Sequence, residues 1–266
     1  MSDFGKRLLR SLGLQLKRCA PVPMFCKPVH YLHIGKTAGS QIGHVISQVN
    51  GRQTAITVIK NGHGTPLRSL PPDDGYFFSV RDPISRFRSG FYSRKRCGRP
   101  RLNNPWSPSE ALIFEEFDHA NDLAEALFRS DARGRKALSA MLTIGHIGSG
   151  HVDWFKKSGD IFNVRAPVWI IRQAHLEADV AMLLRRLGID MKVTLTADPV
   201  TAHINDYTGI PQLSELAIAN LKRWHSADLQ FYSHCEAWLA ENQIDIADPP
   251  GDQNLWDTPV LRDGAR

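Results

Sequence analysis

The chain has 266 residues, 42% of them hydrophobic and 23% charged, with a formal net charge of +6. That size and composition suit one elaborated α/β domain and exclude a wholly disordered or collagen-like chain. No uncharged apolar run reaches the roughly 18 residues of a membrane span, and Cys19, Cys26, Cys97 and Cys235 lack the spacing of a zinc finger or disulfide framework.

Residues 1–27 read as a basic extension in which Phe4, Leu8, Leu9, Leu12 and Leu14 interleave with Lys6, Arg7, Arg10, Lys17 and Arg18. The apolar part is too interrupted for a secretory core. A frayed terminus and a basic amphipathic helix lying on a membrane surface are its two readings. VHYLHI (29–34) has the apolar run of a buried strand. After GKTAGS a helix is expected, with Ile42, Val45, Ile46 and Val49 on one face. AITVI (55–59) and YFFSV (76–80) are the next strands. The latter runs into Asp82-Pro83, an N-cap followed by a first-turn proline. Residues 97–107 form a loop, and Ser107 with Glu110 makes a capping box for a further helix. A Gly-rich loop spans 145–160, VWIIR (168–172) is a strand, and Leu176, Val180, Leu183 and Leu187 stripe a helix ended by Gly188. KVTL (192–195) is expected as a last short strand, and 213–240 as one long amphipathic helix or two.

Alternating strands and helices predict an α/β fold, a P-loop-like parallel sheet flanked by helices. The domain would span 28–240, with residues 97–160 an inserted helical cap over the strand ends, where such sheets bind ligands. Residues 241–266 read as a polar tail.

Positive charge is concentrated: residues 81–101 hold Arg81, Arg86, Arg88, Arg94, Lys95, Arg96, Arg99 and Arg101 against Asp82 alone. Such focusing implies an anionic partner. Gly35-Lys36-Thr37-Ala38-Gly39-Ser40 lies between a strand and a helix, where small residues let backbone amides close on a phosphate or sulfate and Lys36 adds a mobile charge. A Walker A loop needs a further glycine at position 30, which is His30, and no Walker B acid stands out. The loop therefore suits a guest that needs no Mg²⁺. From Asp82, helical spacing aligns Arg86, Ser89 and Ser93 in one stripe and Ile84, Phe87 and Phe91 in an apolar one. Arg81 at a strand end and Ser89 on the helix can then converge on one anion. Arg88, Arg94, Lys95 and Arg96 read as a solvated basic face or as long-range steering charges.

The two motifs together resemble the sulfotransferases that use 3′-phosphoadenosine-5′-phosphosulfate (PAPS), closest to the carbohydrate enzymes of the heparan sulfate 2-O-sulfotransferase type and related bacterial enzymes. His33-Ile34-Gly35-Lys36-Thr37-Ala38-Gly39 is similar to that family's 5′-phosphosulfate loop, with Gly35 where the family usually has proline. Arg81-Asp82-Pro83-Ile84-Ser85-Arg86-Phe87-Arg88-Ser89 is similar to its 3′-phosphate motif. A weaker likeness runs through residues 28–240. The resemblance implies PAPS as donor, adenosine 3′,5′-bisphosphate (PAP) as product, no metal, and cofactor contacts from Gly35 to Ser40, Arg81, Arg86 and Ser89. It also implies transfer to a hydroxyl, or an amine, of a carbohydrate or glycan acceptor.

In-line sulfuryl transfer needs a cation at the leaving phosphate oxygen and a base at the acceptor. Lys36 suits the first role. His63, flanked by Gly62 and Gly64, suits the second because its ordinary pKa is near neutral; its position matches the family's Gly-His. His146 and His151, in the Gly-rich loop, are candidate substrate contacts or alternative bases. His33 is expected to pack, and His203 to contact nucleotide or serve structure. No zinc-ligand spacing appears. The alternatives are a P-loop nucleotide-dependent kinase and a non-catalytic polyanion-binding protein; nucleic acid is not the expected partner. The expected setting is cytoplasmic and bacterial, with peripheral membrane contact through the N-terminus as an option.

Overall fold

A computed structural model describes residues 27–52, 55–100, 102–198 and 207–242. The readings of the basic N-terminus, of nearly all the polar tail and of His203 lie outside these residues. Strand β1 (Lys27–Leu32) leads to helix α1 (Gly39–Asn50), β2 (Ile56–Lys60), β3 (Gly75–Val80) and α2 (Pro83–Lys95). Three helices follow, α3 (Pro108–Glu116), α4 (Ala120–Ala126) and α5 (Ala132–Thr143), then a 3-10 turn (His151–Phe155) and the single-turn α6 (Ile161–Val164). Strand β4 (Ile170–Arg172) precedes α7 (Leu176–Arg186), α8 (Glu215–Trp224) and α9 (Ser226–Glu241).

The four strands form one parallel sheet in the order β2-β1-β3-β4. The fold is therefore the α/β architecture that strand–helix alternation predicts. The chain leaves β1 to place β2 on one side and later sets β3 on the other. The carboxyl ends of β1 and β3 consequently diverge around a crevice, the usual ligand position in open α/β sheets.

Side chains alternate between the two faces of the sheet, and both faces are covered: β3 is buried at every position from Tyr76 to Val80. Tyr31 and Phe77 stack on one face, their ring centroids 5.1 Å apart. Ile42, Val45, Ile46 and Val49 of α1 and Val180, Leu183 and Leu184 of α7 close over that face around Phe77. On the opposite face Phe78 meets Phe155 at 4.8 Å and Phe231 of α9 at 6.0 Å. A second core joins Phe87 and Phe91 of α2 to α3–α5 and to Ala217 and Leu221 of α8. Helix α2 thus belongs to both layers, turning its aromatics to the second core and its serines to the crevice. Its start is as expected: Asp82 accepts from the Ser85 amide and Pro83 opens the first turn.

One expected element differs. Residues 192–195 form no strand. Side-chain amides of α1 satisfy their backbone instead: Gln48 donates to the Thr194 carbonyl at 2.8 Å and accepts from its amide at 3.1 Å. Gln41 brackets Thr196 in the same way, at 2.8 and 3.0 Å. The amphipathic stretch 213–240 divides into α8 and α9 at His225.

Candidate functional site

The loop between β1 and α1 is anchored by a buried chain of hydroxyls. Thr37 Oγ1 donates to the Ile34 carbonyl at 2.8 Å, so it accepts from Ser79 of β3 at 2.7 Å, and Ser79 accepts from the Tyr31 hydroxyl at 2.7 Å. The side chain of Thr37 therefore faces the interior, and any contact it makes with an anion must come from its backbone. Lys36 and Ala38 on either side hold left-handed φ angles of 68° and 72°. Left-handed residues alternating with ordinary ones turn successive amides toward one side, which makes a concave anion seat. Helix α1 begins there with no side-chain cap and no acid in its first turn. The positive end of its dipole therefore faces the seat with no capping side chain or first-turn acid to offset it.

The seat opens into a cavity of about 1020 Å³. Lys36, Ala38, Gly39, Ser40, His63, Arg81, Ser89 and His146 line it, as do Ser93 and Arg94 of α2. Lys36 and Arg81 share this one space, and each raises the cost of charging the other. Burial, then the charges of Arg96, Arg81 and Arg86, lower the Lys36 pKa from 10.5 to about 8. Burial also lowers that of Arg81. Among the described cavity-lining residues there is no Asp or Glu, whereas Lys36, Lys60 and Arg81 border the space, as does Arg94, whose charge is met from behind by Glu110. Such a wall favours an anion that supplies the missing negative charge.

Two expected ligand contacts are corrected. Arg86 is only 2% exposed and lies behind the loop. Its Nε donates to the Gly35 carbonyl at 2.9 Å and its Nη1 to the Ser149 carbonyl at 2.7 Å. It is a strut between the β1–α1 loop and the Gly-rich loop, because its long side chain leaves α2 on the inward side. His151 is fully buried and cannot touch a substrate. Its Nε2 lies 3.5 Å from the Arg81 amide, and its Nδ1 lies 3.8 Å from Asp228 of α9. Both residues brace the site from beneath.

His63 Nδ1 donates to the His33 carbonyl at 3.3 Å, which fixes its tautomer and leaves Nε2 as the acceptor. Its ring lies 3.9 Å from that of His33 and 5.8 Å from that of His146. His63 keeps solvent access at the cavity edge, but its packed neighbours make desolvation the largest cause of a lowered pKa, followed by the charges of Lys60, Lys36 and Arg86. Burial and the surrounding cations push His33 down to about 3 and His146 to about 4. All three rings are neutral at pH 7. His33, expected only to pack, is a cavity wall, and it covers Gly39 so closely that a Cβ there would lie 1.8 Å from its Nε2. His146 enters from the opposite loop with a left-handed φ of 73°. No group of three or more His, Cys, Asp or Glu among the described residues is arranged to hold a metal.

Sequence reasoning missed Lys60, Arg94 and Tyr207 as cavity residues. Lys60 closes β2 and donates to the Gly39 carbonyl at 2.9 Å, so a cation at a strand's carboxyl end was the available signal. Arg94 and its neighbours do not form the expected solvated face. Arg94 makes a two-pronged pair with Glu110, both distances 2.7 Å, Lys95 pairs with Asp118, and Arg88 lies 4.2 Å over the Tyr207 ring. Arg88, Arg94 and Lys95 are thus engaged by partners that lie distant in sequence, the Lys95–Asp118 pair at the surface. No protein-family model and no curated protein matches this sequence.

Proposed function

We propose that the protein is a PAPS-dependent sulfotransferase acting on a hydroxyl, or an amine, of a carbohydrate acceptor. The observation that carries the reading is the single acid-free cavity in which Lys36, Arg81, Ser89 and His63 meet at the sheet's switch point. A nucleotide with phosphates at both ends of its ribose suits two anion sites sharing one space. The amides at the start of α1 and Lys36 would receive the 5′-phosphosulfate; Arg81 and Ser89 would receive the 3′-phosphate.

The donor supplies an activated sulfuryl group whose transfer needs no metal clamp. His63 Nε2 takes the proton of the acceptor hydroxyl as the new oxygen–sulfur bond forms. Lys36 stabilises the electron pair left on the phosphate oxygen when the old sulfur–oxygen bond breaks. Desolvation, and after it the cations around His63, hold its pKa below 6.5, so the ring is able to accept that proton at pH 7. His146 faces the same space and is the next candidate to contact the acceptor.

Two other readings fare less well on this geometry. A kinase would need groups to orient Mg²⁺ beside the phosphates, and no carboxylate lines the described cavity. A polyanion-binding surface would need exposed charge, whereas among the described residues of the 81–101 run Arg86 is buried and Arg94 and Lys95 are paired, which leaves Arg99 as the exposed cation. Calorimetric titration with PAP and with ATP, each with and without Mg²⁺, tests the proposal. Metal-independent binding of PAP, with ATP much weaker, is the expected result; Mg²⁺-dependent preference for ATP would favour the kinase.

A further inference from the structure

A second set of buried polar groups lies outside the cavity and ends two residues from His63. His30 of β1 is 7% exposed and Asn61, just after β2, is 8% exposed. His30 Nε2 lies 2.9 Å from Asp74 Oδ2, in the turn before β3. A carboxylate at that distance fixes the ring proton on Nε2, so His30 Nδ1 carries a lone pair. Asn61 Nδ2 donates to that nitrogen at 3.3 Å. The same amide group reaches the carbonyls of Tyr31 at 3.2 Å and Ile59 at 3.4 Å, and the Asn61 backbone amide donates to Tyr31 at 3.1 Å. The proton order therefore runs in one sense, from Asn61 to His30 to Asp74.

The consequence is local and directional. Asn61 pins the end of β2 to β1, and Gly62-His63-Gly64 departs from that pin. Glycines on both sides give the loop little stiffness of its own. The His63 ring is aimed from two ends: by Asn61 at the base of the loop, and by the His33 carbonyl at its tip. Asn61 is held by His30 and Tyr31 of β1, and His33 directly follows that strand on the way into the β1–α1 loop. An imidazole displaced by about 1 Å loses on the order of 100-fold in rate.

We propose that Asp74, His30 and Asn61 form a positioning relay that aims His63 into the cavity. Asp74 sets the tautomer of His30, His30 holds the side chain of Asn61, and Asn61 holds the loop. None of the three lines the described cavity, so none is a catalytic residue. As a contribution to turnover the relay rests on the sulfotransferase reading; as a device that orients an imidazole it does not.

The test separates the two. Nitrogen-15 NMR of the histidine side chains in the full chain reports the tautomer of His63 without any turnover. The native protein should show His63 protonated at Nδ1. In Asp74→Ala and Asn61→Ala, His63 should shift toward the Nε2-protonated form. Asp74→Asn, which retains an acceptor for His30, should restore the native signal. With PAPS and an acceptor, Asp74→Ala should lower kcat about 10- to 100-fold while the Kd for PAP stays within about twofold; Asp74→Asn should recover most of that rate. An unchanged His63 tautomer in Asp74→Ala overturns the relay, as does an equal loss in Asp74→Asn and Asp74→Ala. Should Asn61→Ala fail to fold, the Asp74 pair decides alone. A tautomer shift in a protein that transfers no sulfuryl group would uphold the relay and overturn the reaction assigned to the site.

Discussion

Lys36 holds a charge that its surroundings oppose. With its pKa near 8 in the free protein, its ammonium is present at neutral pH and lost above it. His63 is displaced the other way relative to its task, below its usual 6.5, so it is a competent base through the neutral range. The rate of sulfuryl transfer should rise with pH below 6.5, as His63 deprotonates, and fall above about 8, as Lys36 does. A pH–rate profile of kcat/KM checks this, and an alkaline limb that is flat to pH 10 would remove Lys36 from the mechanism. His63→Ala should lower kcat by about 10²- to 10⁴-fold with PAP affinity unchanged. Arg81→Ala should do the reverse, weakening PAP by about 10- to 100-fold through loss of a charge-assisted contact while sparing the acceptor step. Steady-state kinetics with calorimetric Kd values distinguish the two. Lys36 and Arg81 stand out as candidates in the sequence because a lysine in a small-residue loop and an arginine at a strand end suit contact with an anion. The roles of Arg86 and His151 do not stand out there: a residue type says nothing of whether its helix turns it toward a cavity or behind it.

The β1–α1 loop depends on groups no ligand would touch. Thr37 shares hydroxyl contacts with Ser79 and the Ile34 carbonyl in a fully buried setting, where an unmatched polar group costs about 1–3 kcal/mol. Thr37→Val keeps the shape and removes the hydroxyl. Chemical denaturation should show a loss of that size, and PAP affinity should fall because the left-handed Lys36 and Ala38 lose their anchor. Unchanged stability with unchanged affinity would show that the backbone alone holds the loop. Local patterns predicted the elements themselves well: the Asp82-Pro83 start, the Ser107–Glu110 capping box and the apolar face of α1 all follow from contacts within a few residues. The 192–195 stretch departs from expectation because strand identity needs a neighbour, and the Thr194 backbone bonds instead to the Gln48 side chain, 146 positions away in sequence.

Taken whole, the molecule gathers like charges into one space, and that carries a cost that varies with pH. His33 and His146 bind protons far less readily when folded than at their ordinary 6.5. The unfolded chain therefore takes up more protons as pH falls, and stability declines from about pH 6.5 downward, before aspartates and glutamates begin to titrate. Lys36 acts in the same sense at higher pH, so its share of stability rises between about 8 and 10.5. An anion in the cavity offsets both effects. Melting temperature should fall between pH 7 and 5 in the free protein, and PAP should raise it, with about 2.7 kcal/mol expected at a hundredfold excess over Kd. A melting temperature indifferent to pH over that interval would contradict the electrostatics of the site.

Strand–helix alternation, buried-strand runs and caps were determined by the order of residues alone, because each rests on contacts between near neighbours and on periodicities of two and 3.6. So were the two anion motifs, whose small or charged residues stand beside strand ends. Only the tertiary structure decided that β1 and β3 lie side by side, which brings Lys36 and Arg81 into a common cavity. It also decided that Arg94, Lys95 and Arg88 of the basic run meet Glu110, Asp118 and Tyr207, and that three histidines from separate segments meet. The reason is the same in each case: burial and charge pairing depend on distances across the fold, and spacing along the chain does not encode them.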